Sequence, residues 1–83
     1  MPKIATSGKY DFKIETREKD IHGPHVHVYI GTERICEIDL YSGMFLHEPD
    51  KAGLRKEILE AYRPLAVQLL KAWFKYHPKK DDS

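Results

Sequence analysis

Apolar and polar residues alternate along the first half of the chain. Tyr10, Phe12 and Ile14 are interleaved with Asp11, Lys13 and Glu15, the two-residue period of a half-buried strand. A second alternating run, His25-Val26-His27-Val28-Tyr29-Ile30, puts Val26, Val28 and Ile30 on one face and His25, His27 and Tyr29 on the other. Arg17 to Pro24 between them is charged and ends in Gly23-Pro24, so it reads as a loop. The first eight residues end in the turn-like Thr6-Ser7-Gly8 and carry no strand expectation of their own.

Gly31-Thr32-Glu33 marks a hairpin turn before a third strand, Arg34 to Leu40. Loop length decides how the two strands align. A two-residue loop would face Val26 with Glu37 and Val28 with Ile35. A three-residue loop faces Val28 with Cys36 and Val26 with Ile38. Only the second keeps one face apolar, because a one-residue slip turns every side chain over. The sequence therefore predicts a three-residue loop, with glycine near a positive-φ position. It follows that His27 stands across from Glu37, and His25 across from Asp39. Tyr41-Ser42-Gly43 turns the chain again, Met44 to His47 reads as a short fourth strand, and Glu48-Pro49 ends it.

The period then changes. Leu54, Ile58, Tyr62, Leu65, Leu69, Trp73 and Tyr76 recur in steps of three and four, an amphipathic helix stripe. Asp50 is placed to cap a helix beginning at Lys51. Pro64 interrupts the stripe without changing its phase and lies off the apolar face. The segment is either one kinked helix or two nearly collinear helices, the second with Pro64 in its first turn. The expected fold is α+β: a small antiparallel sheet of three or four strands, packed on one face by a C-terminal helix kinked or broken near Pro64. Residues 1–78 form a single domain and 79–83 a flexible charged tail.

Length and composition narrow the class. Eighty-three residues make room for one core, and 41% hydrophobic with 33% charged residues is ordinary for a folded chain. A formal net charge of +1 gives no dominant attraction to nucleic acid. One cysteine, Cys36, cannot make an internal disulfide, and no run has the length of a membrane span. No signal-like apolar stretch follows Met1. Cytoplasmic localisation and no membrane partner are the expectations.

Pro24-His25-Val26-His27-Val28, a short hairpin, Ile38-Asp39-Leu40 with a Ser42-Gly43 turn, and a helical tail carrying Trp73 together resemble the small bacterial domain-of-unknown-function family 4160. The resemblance spans about Tyr10 to His77. It departs at Gly23, where members usually carry a second proline, and in the charged Arg17 to His22 loop. The family has no established activity. Its members are often encoded beside a second small protein, which implies one half of a toxin–antitoxin-like pair and a co-encoded protein partner.

Three kinds of chemistry are legible. His25 and His27 share a face with Glu37 and Asp39 opposite, a group suited to acid–base work or to a zinc-like ion, with His22, His25 and His27 as candidate metal ligands. The bland alternative is a sheet face whose histidines pair with carboxylates. RNA cleavage or binding would draw on His25, His27, Tyr29, Lys13 and Arg34, but Asp11, Glu15, Glu37 and Asp39 on that face repel phosphate. Protein binding, including homodimerisation, is suggested by open sheet edges and by the consecutive apolar residues Met44, Phe45 and Leu46, which cannot all face one core. Cys36 reads as a small core hydrophobe, and Trp73, Phe74 and Tyr76 as packing. The leading expectation is an interaction protein; the alternative is a histidine-dependent nuclease or hydrolase, with or without metal.

Overall fold

The computed structural model describes residues 2–15 and 23–77. The chain forms a five-stranded antiparallel sheet in sequential order, followed by a helical segment. The strands are β1 (Lys3–Ser7), β2 (Tyr10–Lys13), β3 (His25–Ile30), β4 (Glu33–Asp39) and β5 (Phe45–His47). The sheet therefore has one strand more than the upper sequence expectation. The added strand is β1, which pairs with β2 across a Gly8-Lys9 turn. Its sequence, KIATS, has little alternation to betray it; the signal lay in Gly8, whose φ of 59° lets a two-residue turn close the hairpin.

The β3–β4 hairpin keeps the expected register by a different route. Val28 faces Cys36, Val26 faces Ile38, His27 faces Glu37 and His25 faces Asp39. The tip, however, holds only two residues, Gly31 and Thr32, between the paired Ile30 and Glu33. Gly31 takes φ 62°, and no non-glycine described has positive φ, the pattern of a glycine-first type II′ turn. A bulge then adds Ile35 to β4, since Tyr29 pairs with Arg34 while Val28 pairs with Cys36. The extra residue restores the apolar face that a plain two-residue hairpin would have inverted.

The helical segment runs as α1 (Gly53–Tyr62), a 3₁₀ turn at Arg63–Leu65, and α2 (Ala66–Tyr76). Proline has no N–H for the bond to residue i−4, and the chain tightens to i→i−3 bonding around exposed Pro64 instead of stopping. Tyr62, Arg63, Leu65 and Ala66 all keep right-handed helical torsions. Asp50 does not cap α1. The helix starts at Gly53, with Ala52 at the cap position and no side-chain cap bond. Lys51 and Ala52 form a lead-in turn instead, their carbonyls accepting from the N–H groups of Leu54 and Arg55. Asp50 stands two residues ahead of that cap position.

Ile58, Tyr62, Leu69 and Trp73 from the helices close a single core with Tyr10, Phe12, Ile14, Val26, Val28, Cys36, Ile38 and Leu40 from the sheet. Of the consecutive Met44, Phe45 and Leu46, only Phe45 packs against this core. The domain limit at 78, the charged tail 79–83 and the Arg17 to His22 loop lie outside the described residues. No helix described is long and apolar enough to cross a membrane.

Candidate functional site

The histidine strand is buried on both faces. His25 is 1% exposed and His27 3%, alongside fully buried Val26 and Val28. Neither histidine therefore lies on a solvent-facing sheet surface. Trp73 of α2 meets the His25 ring with centroids 5.2 Å apart, and His77, just past the end of α2, stacks on Trp73 at 3.8 Å. His25 and His27 are themselves 5.2 Å apart and tilted. Four rings thus run in file from the middle of β3 to the end of the chain's helix. The file is tied down at its far end, where His77 Nε2 donates to the Glu15 carbonyl at 2.7 Å. It is tied near its middle by His25 Nδ1, which donates to the Gly23 carbonyl at 2.9 Å.

Register brings Glu37 to His27, as the sequence predicts. One donor atom from each of His25, His27 and Glu37 lies within 4.8 Å of the other two. Arg34 closes the group from the solvent side: Nη1 donates to His27 Nδ1 at 3.3 Å and lies 3.6 Å from Glu37 Oε2. The Arg34 side chain is about half exposed and that of Glu37 is largely covered. A guanidinium has no acceptor, so in this contact His27 Nδ1 is the accepting atom.

Asp39 sits opposite His25 in register but does not join the group. Its Oδ1 accepts from the N–H groups of Tyr41 at 2.8 Å and Ser42 at 3.2 Å. The Gly43 N–H returns to the Asp39 carbonyl at 2.8 Å, and Gly43 adopts φ 75°. Asp39 is therefore the anchor of the β4–β5 turn, a role that an aspartate followed by Ser and Gly could have announced. His22 lies outside the described residues. Lys13 stands opposite His27 on β2 but places its ammonium 4.2 Å from the centre of the Tyr29 ring, so two of the residues expected to bind RNA are engaged with each other. His47 escaped notice in the sequence. It lies across from Glu37 on β5, in a register set by a bulge at Leu46 that no periodicity signals.

Cys36 is buried next to this group, on the core face opposite Val28. Burial, reinforced by the charge of Glu37, pushes its thiol up to about 12, which suits a packed hydrophobe and not a nucleophile. Burial also raises the Tyr62 phenol, with the Asp39 charge adding to the effect. Among the described residues, the surface clefts include three. One of about 240 Å³ lies between the β3–β4 hairpin and the start of α1, lined by Ile30, Arg34, Ile35 and Leu54 among others. A second, of about 550 Å³, is lined by Tyr10 and Glu57, and a third, of about 430 Å³, by Lys3, Lys71 and Lys75. Neither His25 nor His27 lines any of them.

Trp73 and His77 join the histidines from outside the expected set, and Arg34, expected only for RNA chemistry, joins His27 and Glu37. Arg34 shares a strand with Glu37 at a three-residue spacing that alternation alone places on opposite faces; the bulge at Ile35 brings the two together. Comparison with known proteins adds no relative: no family model, no curated protein and no solved structure matches the chain.

Proposed function

We propose that this chain acts by binding a protein partner, as one half of a toxin–antitoxin-like pair, through the outer surface of the β4–β5 hairpin. The observation that carries this reading is the close spacing of three exposed apolar side chains there, the other exposed apolar residues, Val67, Phe74 and Tyr76, lying along α2. Tyr41 is 69% exposed, Met44 70% and Leu46 42%, all within six residues. Isolated exposed apolar side chains are normal, but three on one hairpin make a patch of the kind that partners cover. The side chains are the recognition element, not the strand edge. β5 is only three residues long and bulged at Leu46, and β1 at the other edge is bulged at Ile4, two devices that discourage strand addition. The resemblance to family 4160 supports a small co-encoded protein as the occupant.

The second reading, a histidine-dependent nuclease or hydrolase, is favoured by the convergence of His25, His27 and Glu37. It is opposed by their burial and by their separation from the clefts. Co-expression with the product of the adjoining gene tests the first reading. A one-to-one complex that Met44→Lys and Leu46→Lys abolish, with the fold retained, supports it. Self-association lost in the same variants would replace that partner by a second copy. Cleavage of RNA that His27→Ala removes would favour the second reading.

A further inference from the structure

We propose that His25, His27 and Glu37 form a binding site for a single divalent cation of the zinc type, and that Arg34 occupies its mouth when no cation is bound. The argument begins with the donor set. Two imidazoles and a carboxylate are the protein ligands of tetrahedral zinc sites in which a water takes the fourth position. Their donor atoms already lie within 4.8 Å of one another. Ligands held about 2.0–2.1 Å from a tetrahedral ion stand roughly 3.3 Å apart, so closure needs a shift on the order of 1.5 Å at most.

The surroundings are those of a ligand site. His25 donates Nδ1–H to the Gly23 carbonyl, which selects the tautomer that directs the Nε2 lone pair to a metal and fixes the ring plane. The Trp73 ring packs on His25, limiting ring rotation. His27 and Glu37 are held by their pairing across β3 and β4. The rigid members are thus the ligands, and the movable member is Arg34, on a long stem with its side chain half exposed.

Arg34 also supplies the electrostatic argument. Its guanidinium meets two of the three ligand residues, lying 3.3 Å from His27 Nδ1 and 3.6 Å from Glu37 Oε2. A positive charge at that position offsets the Glu37 carboxylate, which the sheet keeps mostly from water. Cation and guanidinium compete for the same acceptors, so binding must turn Arg34 out to solvent. This site is separate from the Tyr41, Met44 and Leu46 surface and does not depend on the partner-binding reading.

The test uses the tag-free chain, stripped with chelator, and titrated calorimetrically with zinc. Cobalt(II) serves as an optical probe, because tetrahedral coordination gives intense visible bands. Saturation at one equivalent per chain is expected, with Glu37→Gln weakening binding about tenfold or more and His27→Ala abolishing it. Arg34→Gln is expected to tighten binding severalfold, an effect that a merely structural arginine would not produce. Glu37→Gln is conservative and only partly buried, so it reports even if His27→Ala fails to fold. Absence of saturable binding, or binding equal in wild type and Glu37→Gln, overturns the site. Unchanged or weaker binding in Arg34→Gln overturns the competition by Arg34.

Discussion

Trp73 offers the sharpest quantitative check, because one side chain joins the helix to the histidine strand. Its indole is 1% exposed, packs on His25 at 5.2 Å and stacks under His77 at 3.8 Å. Truncating a buried tryptophan to alanine costs about 3–5 kcal/mol. Domains have margins of roughly 0.05–0.15 kcal/mol per residue, which for 83 residues is about 4–12 kcal/mol. Trp73→Ala should therefore remove from about a quarter to all of that margin, and Trp73→Phe is the more useful variant. Phenylalanine keeps a ring on the core side but gives up the larger stacking surface, where ring pairs are worth about 0.5–1.5 kcal/mol each. A loss of about 1–2 kcal/mol is expected, or on the order of 1 M in urea midpoint at a small-domain m-value of ~1–2 kcal/mol/M. The assay is urea unfolding followed by far-ultraviolet circular dichroism. A double-mutant cycle with His77→Ala should return a coupling of ~0.5–1.5 kcal/mol. A Trp73→Phe variant as stable as wild type, or a zero coupling, would refute the view that the ring file fastens α2 to β3.

Other expectations follow from individual contacts. Tyr10 is buried and donates its hydroxyl to Glu57, and burial first, then that bond and charge, pushes its phenol from 10.0 up to about 12. Between those values the folded chain holds a proton that the unfolded chain has lost, so stability is full below pH 10 and falls as pH rises toward 12. Because the hydroxyl meets the exposed Glu57 carboxylate, screening reduces the loss to on the order of 1 kcal/mol, to be read by urea unfolding at pH 9 and above, and it should shrink in Glu57→Gln. Gly31→Ala meets no atom within 4 Å but must take φ 62°, so it should cost about 1 kcal/mol by thermal unfolding without altering the core. Deleting Ile35 removes the bulge and joins the Tyr29–Arg34 pair directly to the Val28–Cys36 pair. The two-residue tip and the apolar face then both place Val28 opposite Cys36, so nuclear Overhauser contacts between these two should survive the deletion, and their replacement by Val28 to Glu37 contacts would refute the reading of Ile35 as the bulged residue.

The register of β3 and β4 was legible because the apolar demand of one face outweighs local turn detail. Val26, Val28, Cys36 and Ile38 admit only one alignment, and the chain reaches it with a bulge where a longer loop was expected. Bulges themselves left no trace, since Ile35 and Leu46 look like ordinary strand residues. β1 was illegible because its five residues barely alternate and are held as an edge by pairing with β2. The triad of His25, His27 and Glu37 followed directly from register. Its burial did not, because alternation assigns faces but says nothing of what covers the second one. Trp73 was read as packing, and it is; what the helix period could not show was that it packs on His25. Asp39 was misassigned to the site because register was weighed and turn chemistry was not.

The central claim is that the β4–β5 hairpin surface engages a small protein partner. The most direct measurement is light scattering coupled to size exclusion on the chain co-expressed with the product of the adjoining gene, compared with a Met44→Lys, Leu46→Lys double variant of unchanged circular dichroism. A heterocomplex in the first sample and free chain in the second is the predicted result. Free chain in both samples, or a complex of equal amount in both, would contradict it.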